Sequence, residues 1–152
     1  MKQDYTYKMR LYPNKEQETL LAKHFGSIRY VYNLFLDRRT RFYLEAKEKQ
    51  LAKKTLTYVE MAKELTKIKE QPETEWLNEI NSQSLQHAIK HLDSAYNRFF
   101  EKLAKFPRKK SKKNKQSFRV PQFVKVELGK IYFPKFKEGI RMDDHRGIVG
   151  EI

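Results

Sequence analysis

The sequence of 152 residues contains no cysteine and only five glycines. Without a thiol, the chain can form neither a disulfide nor a thiolate zinc site. The glycines are scattered singly, so there is no glycine-rich phosphate loop, and no nucleophile elbow or pair of catalytic carboxylates stands out. Composition and spacing therefore indicate a binding module without a cofactor rather than a complete active site.

Long hydrophobic runs are also missing. The sequence has no apolar run of about 18 residues, and its polar start, MKQDYTYKMR, has no signal-peptide core. We therefore expect a soluble, cytoplasmic protein with no membrane partner and no small-molecule substrate. Aromatic residues make up 13% of the chain, more than a disordered protein carries, so we expect the chain to fold. Its length suits a single domain.

One part of the chain has no acidic residue. Residues 102–126 hold ten Lys or Arg and no Asp or Glu, so they carry +10 of the formal net charge of +14. Charge concentrated in this way is typical of nucleic-acid-binding proteins. A basic helix lying on a membrane fits less well, because Pro107 and Pro121 interrupt the segment and it has no apolar stripe of helical period.

The centre of this region, residues 105–122, is called the basic segment below. Its candidates for contact with nucleic-acid phosphates are Lys105, Arg108, Lys109, Lys110, Lys112, Lys113, Lys115 and Arg119. A run of lysines is often simply solvated. Here Phe106 and Phe118 stand near the two ends and predict ordered structure that pins the segment to the fold. Lysine binds phosphate with little regard to sequence, and arginine and aromatic side chains also stack on bases.

Alternating apolar residues predict strands at both ends of the chain. Residues 5–11 alternate and indicate a half-buried strand that ends before Pro13. Residues 124–133 alternate again around Gly129 and Lys130, which predicts a β-hairpin with its turn at those two residues. Strands at the ends and helices between them indicate an α+β fold.

The first helical region has two interpretations. Asn14 and Gln17 form a capping pair that predicts a helix starting at about residue 15. Gly26 and Ser27 can end that helix and cap a second one reaching about residue 48, which would give a helix-turn-helix-like start. A continuous helix through Gly26 is the alternative, at a cost of about 1 kcal/mol.

Two further helices follow. Thr57 and Glu60 form a capping box that predicts a helix to about residue 69, ended by Pro72. Trp76 lies in a short connector. Apolar residues then recur at helical spacing over residues 82–103, which is the strongest helical signal in the chain.

Two small clusters of histidine and aspartate are candidates for metal sites. His87 and His91 have the spacing found in zinc proteases, but Ala88 stands where that motif needs a glutamate. We interpret them instead as two surface histidines beside the apolar face of the predicted helix. The second cluster comprises Asp143, Asp144 and His145. A solvated turn is favoured there over a site for a hard cation, so we predict no metal.

Seven sequence blocks together resemble the OrfB/TnpB proteins of insertion sequences, which are RNA-guided nucleases related to the type V CRISPR effectors. In chain order the blocks are MRLYPNKEQETLL, GSIRYVYNLFL, LTYVEMAKELTKIK, LQHAIKHLDSAYNRFF, KFPRKKSKK, QSFRVPQ and GKIYFPKF. They follow the order of the family over about residues 9 to 137, which makes the resemblance specific.

The resemblance implies a wedge-type β-barrel interrupted by a helical recognition region. Residues 1–13 would form the first strand of the barrel, residues 14–104 the helical bundle, and residues 105–152 the remainder of the barrel. The implied partners are a guide RNA and a target DNA carrying a short adjacent motif.

The resemblance also implies which residues contact the adjacent motif. By position these are Tyr58, Ser82, Gln83 and Gln86. Glutamine can form paired hydrogen bonds to adenine, and tyrosine can pack on a base or bond a phosphate. Ser82 and Gln83 stand where the family would carry a longer basic or an aromatic residue, so the motif can differ. The plain alternatives are helix packing for Tyr58 and solvent exposure for Gln86.

The family's RuvC-like nuclease domain, with its metal-binding carboxylates and four-cysteine zinc element, has no counterpart in this sequence, which ends in DDHRGIVGEI. Two-metal cleavage needs those carboxylates. We therefore expect a non-catalytic region that binds RNA and DNA. The alternatives are an RNA-independent helix-turn-helix repressor-like protein and a metalloenzyme built on the histidine pair and the acidic turn.

Overall fold

The computed structural model describes residues 2–143 and residue 147. Along the chain its elements are β1 (Leu11–Tyr12), α1 (Lys15–Glu48), α2 (Tyr58–Glu70), a 3₁₀ helix (Glu75–Glu79), α3 (Ser82–Phe100), β2 (Lys125–Glu127), β3 (Lys130–Tyr132) and β4 (Ile140–Met142). Helices occupy the middle of the chain and strands lie on either side. The predicted α+β class is therefore confirmed.

The strands form one antiparallel sheet in the order β1-β4-β3-β2. β1, from the start of the chain, pairs with β4, so that Leu11 lies opposite Met142 and Tyr12 opposite Arg141. The helical region is thus inserted between the first strand and the rest of the sheet. β1 and β2 stand at the two ends of the strand order, so over the described residues the sheet is open rather than closed into a barrel.

The predicted strand over residues 5–11 is wrong, because β1 contains only Leu11–Tyr12. A strand continues only where a partner offers backbone hydrogen bonds. β4 ends at Met142, and one further bond runs from the Asp143 N–H to the Arg10 carbonyl at 2.8 Å. Tyr5, which the alternation placed on a half-buried face, is 68% exposed.

The predicted hairpin is confirmed as β2 and β3, but its turn lies one residue earlier than expected. Lys130 pairs with Glu127 inside the ladder, which leaves Leu128 and Gly129 as the two-residue loop. Their φ angles are 51° and 73°, and two positive φ values are what a type I′ hairpin turn requires. Glycine adopts this conformation freely, whereas leucine does so under strain.

α1 runs unbroken for 34 residues, so the predicted break at Gly26 and Ser27 is wrong and the two-helix start is not seen. Ser27 and Ile28 are buried in the face of α1 that forms the core. The buried residues along α1 are Gln17, His24, Ser27, Ile28, Val31, Tyr32, Phe35, Leu36, Arg39 and Ala46. This continuous packed stripe outweighs the cost of one glycine in a helix, about 1 kcal/mol.

The starts of α1 and α2 agree with the prediction, and the end of α3 differs from it. Both capping boxes are present: Asn14 with Gln17 at the start of α1, and Thr57 with Glu60 at the start of α2. α3 ends at Phe100 rather than at the predicted residue 103. Its end is a Schellman-type turn in which Lys102 has a φ of 62°.

The three α-helices enclose a single apolar core, in which α1 packs mainly against α3. Its buried members are Ile28, Val31, Tyr32, Phe35, Leu36, Met61, Leu65, Ile68, Leu77, Ile80, Leu85, Ala88, Ile89, Leu92 and Tyr96. Gln17 connects this bundle to the sheet, because its side-chain amide donates to the Gly139 carbonyl at 3.1 Å. None of the helices in the described part of the chain is long and apolar enough to cross a membrane.

Candidate nucleic-acid interface

The basic segment lies across α1 and α3 and is fixed near both ends by aromatic contacts. Phe106 packs edge-on against Tyr96 and Phe99 of α3, with ring centroids 5.4 and 5.0 Å apart. Phe118 packs against His24 of α1 at 5.1 Å. The prediction that the two phenylalanines pin the segment to the fold is confirmed.

Polar side chains of the two helices hold the backbone of the segment between these anchors. The Asn33 amide donates to the Lys110 carbonyl and accepts from the Lys110 N–H, both at 2.8 Å. On the other side, the Ser84 hydroxyl donates to the Arg119 carbonyl at 2.7 Å. Backbone groups that a free loop would leave to water are thus bound by the helices, so the path of the segment is set by the fold.

A tight turn projects from the middle of the segment. The Asn114 N–H donates to the Ser111 carbonyl at 3.1 Å, and the Asn114 side chain accepts from the Ser111 N–H at 3.0 Å. Arg29 of α1 supports the turn by donating to the Gln116 side chain at 3.0 Å. The exposed cations carried by this turn are Lys112, Lys113 and Lys115.

The eight predicted phosphate-binding residues divide into two groups. Seven are exposed: Lys105, Arg108, Lys109, Lys112, Lys113, Lys115 and Arg119. Lys109 also pairs with Asp37 at 3.3 Å. Lys110 points inward, with its ammonium 4.6 Å from the centroid of the Tyr32 ring, and burial lowers its pKa. Lys110 therefore helps to attach the segment, while the other seven are exposed to solvent, where a polyanion can reach them.

The two histidines of α3 lie beside the basic segment. Arg119 Nη1 is 3.4 Å from His87 Nε2, and the His91 ring is 5.8 Å from the ring of Tyr32 on α1. Burial lowers the pKa of both imidazoles. The nearby cations Arg119 and Lys90 lower the pKa of His87 further, and Lys110 does the same for His91. Neighbouring positive charge makes this pair a poor site for a metal cation.

No group of three or more potential metal ligands comes together within residues 2–143 and 147. Asp143, from the predicted acidic turn, donates its N–H to the Arg10 carbonyl. Asp144 and His145 lie outside the described residues.

Three of the four predicted motif-contacting residues stand together. Ser82, Gln83 and Gln86 occupy the first turns of α3, where Gln83 donates to the Gln122 side chain at the end of the basic segment, at 2.8 Å. Ser82 and Gln86 are exposed.

Tyr58 does not belong to this group. It is the first residue of α2 and packs, half-buried, against the helical core. Arg39 bonds both Thr55, just before α2, and Asp93 of α3. Asp93 is seven residues beyond Gln86, or roughly 10 Å of helix rise. The loop that leads into α2 is therefore tied to α3 at Asp93 rather than at its first turn.

Sequence reasoning missed an exposed aromatic cleft. Tyr30 of α1 and Trp76 of the 3₁₀ helix are 37% and 40% exposed, and their rings meet edge-to-face with centroids 5.2 Å apart. The cleft beside them has a volume of about 480 Å³ and is also lined by Arg29, Asn33 and Asp37. Asn33 and Asp37 are also partners of the basic segment, so the cleft adjoins it. The signal available in the sequence was a lone tryptophan in a short connector.

Comparison with known proteins identifies the family. Residues 1–48, which include β1 and all of α1, match the model of the helix-turn-helix domain of IS605 OrfB proteins. The chain is 36% identical to InsQ of Escherichia coli (strain K12), a protein that bears the name of an RNA-guided DNA endonuclease; the alignment covers 100% of this chain and 37% of InsQ. A second relative, from Streptomyces pristinaespiralis, also bears the name of an RNA-guided DNA endonuclease. It is 37% identical over 73% of this chain and 26% of its own length.

The match to the OrfB domain model and the alignment with InsQ place this α+β chain in the class of insertion-sequence proteins. The chain belongs to the OrfB/TnpB family of insertion-sequence proteins. It spans about a third of the length of InsQ and about a quarter of the Streptomyces relative.

Proposed function

We propose that this chain is the nucleic-acid-binding region of a transposon-encoded RNA-guided DNA endonuclease, and that it holds a guide RNA and a target DNA with its adjacent motif. One observation carries the proposal: the basic segment is fixed across α1 and α3 while seven of its cations are exposed to solvent. A fixed row of cations binds phosphates with less loss of conformational freedom than a disordered tail. The similarity to InsQ over the whole chain supports the choice of partners.

We assign residues 1–13 and 105–152 to one β unit of wedge type, and residues 14–104 to a helical recognition region. The pairing of β1 with β4 supports this division, because it joins the two ends of the chain in one sheet across the helical insertion. In this proposal the open four-stranded sheet is part of the wedge barrel.

Each group of residues has its own role in the proposal. The exposed cations of the basic segment bind phosphates and set the register of the nucleic acid. Ser82, Gln83 and Gln86 at the start of α3 contact the adjacent motif, and Tyr58 contributes from α2. The Tyr30 and Trp76 rings stack on an unpaired base, which aromatic side chains do with little dependence on sequence.

We propose further that this chain binds nucleic acid without cleaving it. Purified protein incubated with Mg²⁺ and single-stranded or duplex DNA should leave both intact. Nicking that persists on repurification and disappears in Asp143→Asn would contradict this.

A repressor-like DNA-binding protein acting without RNA is the second candidate, favoured by the helix-turn-helix description of the matching model. The unbroken α1 offers no separate recognition helix in that region. Tight, sequence-specific duplex binding by RNA-free protein would favour this candidate.

The main test uses the three lysines on the projecting turn. Lys112, Lys113 and Lys115 are changed together to Gln, and RNA and duplex DNA binding is measured by fluorescence anisotropy from low to high salt. If all three contact phosphates, the slope of log K against log salt on duplex DNA should shrink by about 3 units. Affinity for RNA should fall as well.

A matched control changes three exposed lysines elsewhere: Lys47 on α1, and Lys63 and Lys67 on α2. This variant has the same net charge as the first. If both variants lose affinity and slope equally, only net charge matters and the assignment to the basic segment is wrong. An unchanged slope in the first variant also contradicts the proposal.

A further inference from the structure

A small cavity lies between α1, α3 and the basic segment. It has a volume of about 230 Å³, and its lining includes four basic side chains: His87, His91, Lys110 and Arg119. The Tyr32 ring completes the wall formed by α1. Groups that are far apart in the sequence thus line one cavity that is partly open to solvent.

The fold sets the position of each basic group without help from a ligand. His87 and His91 are one helical turn apart on α3 and therefore face the same side. Hydrogen bonds from α1 and α3 hold the backbone at Lys110 and at Arg119. The Arg119 guanidinium is in turn close to His87, with Nη1 3.4 Å from Nε2.

The lining of the cavity carries basic side chains and no carboxylate. All ten lining residues are described, and none of them is Asp or Glu. Two acidic residues of the helices that flank the cavity are paired with other cations: Asp37 of α1 with Lys109, and Asp93 of α3 with Arg39. Lys90 adds a further cation near His87. Burial and mutual repulsion lower the pKa values of both imidazoles, and burial lowers the pKa of Lys110.

We propose that this cavity binds a single phosphate group, namely a phosphodiester of the nucleic acid that the basic segment holds; the inference therefore rests on the proposed function. A volume of about 230 Å³ is below the roughly 300 to 1,000 Å³ of small-molecule sites, which suits one phosphate better than a nucleoside. Arginine, lysine and imidazolium N–H groups all form strong hydrogen bonds to phosphate oxygens.

The site makes binding depend on pH in a defined direction. The titratable groups that line the cavity are Tyr32 from α1, His87 and His91 from α3, and Lys110 and Arg119 from the basic segment; Lys90 of α3 lies near His87 but outside the lining. Phosphate favours the protonated imidazoles and so raises their pKa values, which lie below 6.5 in the free protein. Affinity should therefore rise as pH falls through the raised values, and should level off below those of the free protein.

The first experiment needs no variant. The pKa values of the imidazoles are measured by NMR in protein labelled at histidine, alone, with inorganic phosphate, and with a short single-stranded RNA. His24 serves as the internal reference, because it is 1% exposed and does not line the cavity. We expect RNA to raise the pKa values of His87 and His91 and to leave that of His24 unchanged.

The other outcomes of this experiment overturn the proposal in different ways. A shift with inorganic phosphate but none with RNA would make the cavity a site for a free anion rather than for a nucleic-acid backbone. No shift with either would mean that the cavity binds no phosphate. In a fourth sample with Zn²⁺ alone, perturbation of both rings would show a metal site instead.

The second experiment compares RNA affinity at pH 7.5 and pH 5.5 in the wild type and in His87→Gln/His91→Gln, with circular dichroism confirming the fold at both pH values. The wild type should gain roughly tenfold in affinity for each imidazole whose pKa is raised by one unit. The double variant should lose most of this gain. The variant with Lys112, Lys113 and Lys115 changed to Gln should bind RNA more weakly at both pH values. Its ratio of affinity at pH 5.5 to affinity at pH 7.5 should match that of the wild type.

The two proposals fail differently. If the wild type does not bind RNA at all, the proposed function is wrong. If it binds RNA and the double histidine variant keeps the full pH ratio, the cavity proposal is wrong and the proposed function stands.

Discussion

Arg39 and Asp93 form an ion pair at the centre of the helical bundle, with Nη1 donating to Oδ1 at 2.8 Å and the Arg39 side chain 1% exposed. The same guanidinium donates to the Thr55 hydroxyl and lies over the Tyr96 ring, 4.4 Å from its centroid. One cation thus joins α1, α3 and the loop that leads into α2. It therefore ties the segment just before α2 to the other two helices.

Asp93→Ala should destabilise the protein strongly, because Arg39 would remain buried without its carboxylate. We expect a loss of about 3 kcal/mol in the free energy of unfolding, at the lower end for a broken buried pair since the Asp93 side chain is 27% exposed. Urea denaturation measures the change. Asp37→Ala is the control: that carboxylate pairs with Lys109 on the surface, so its loss should cost less than about 1 kcal/mol. Similar losses in the two variants would argue against the role of Arg39.

His24 is buried where α1 meets the connector before α3. Its Nδ1–H donates to the Leu20 carbonyl at 2.9 Å, and its Nε2 accepts from the Asn81 N–H at 3.4 Å, so the partners suit a neutral ring. Burial lowers the pKa of His24, and the bond to Leu20 only partly opposes this. The folded state therefore binds a proton at this ring less readily than the unfolded chain does.

Stability should consequently fall on acidification. The contribution of His24 is fully present above its unfolded pKa of about 6.5 and is lost as pH falls toward the lower pKa of the folded state. The lowered pKa values of His87 and His91 act in the same direction. Urea denaturation at pH 7.5 and 5.5 should show lower stability at pH 5.5. In His24→Gln, whose amide can donate to Leu20 and accept from Asn81, the difference should shrink; an unchanged difference would mean that the other histidines account for it.

The parts of the fold that were predictable depend on neighbouring residues. Asn14 and Thr57 cap helices through residues three positions away, so both helix starts could be placed from sequence. The continuity of α1 through Gly26 could not be predicted from the sequence, because it depends on burial of Ser27 and Ile28 in the core. β4 was missed for a similar reason: three residues between two other strands carry too little alternation to be recognised alone.

For the candidate site, the location of the basic segment could be predicted from sequence, but the orientation of individual side chains could not. Charge and the flanking phenylalanines identified the basic segment, and both phenylalanines do anchor it. The inward position of Lys110 was not predictable, because it depends on Asn33, which lies 77 positions earlier in the chain. The pairing of Tyr30 with Trp76 is likewise formed only by the fold.

Trp76 should report directly on base stacking. It is the only tryptophan in the sequence, so quenching of its fluorescence by single-stranded RNA would come from this cleft. Trp76→Ala should weaken RNA binding by about 1 to 3 kcal/mol, the range for one stacked base. Tyr5→Ala is the control, because Tyr5 is an exposed aromatic residue outside the cleft. Neither quenching nor loss of affinity in a folded Trp76→Ala protein would show that the exposed ring pair has another role.

The last prediction separates contacts that position the nucleic acid from contacts that identify its sequence. Phosphate contacts add affinity for any sequence, whereas a bidentate contact to a base edge contributes about 1 to 3 kcal/mol of discrimination. With guide RNA bound, the protein is used to select duplexes from a pool randomised at the adjacent motif. Gln86→Ala should flatten the selected motif and leave affinity for random duplex nearly intact. The variant with Lys112, Lys113 and Lys115 changed to Gln should do the opposite.

Tyr58 allows a sharper version of the same test, because its ring packs against the core and Tyr58→Phe removes only the hydroxyl. If Tyr58 and Gln86 both contact the motif, each variant should lower the preference. Their effects should add within about 0.5 kcal/mol if the two residues act independently, Tyr58 from α2 and Gln86 from α3. Loss of preference in Gln86→Ala alone would assign Tyr58 to helix packing. If both variants select the wild-type motif while circular dichroism shows an intact fold, neither residue contacts the motif, and Gln83 and Ser82 become the residues to change.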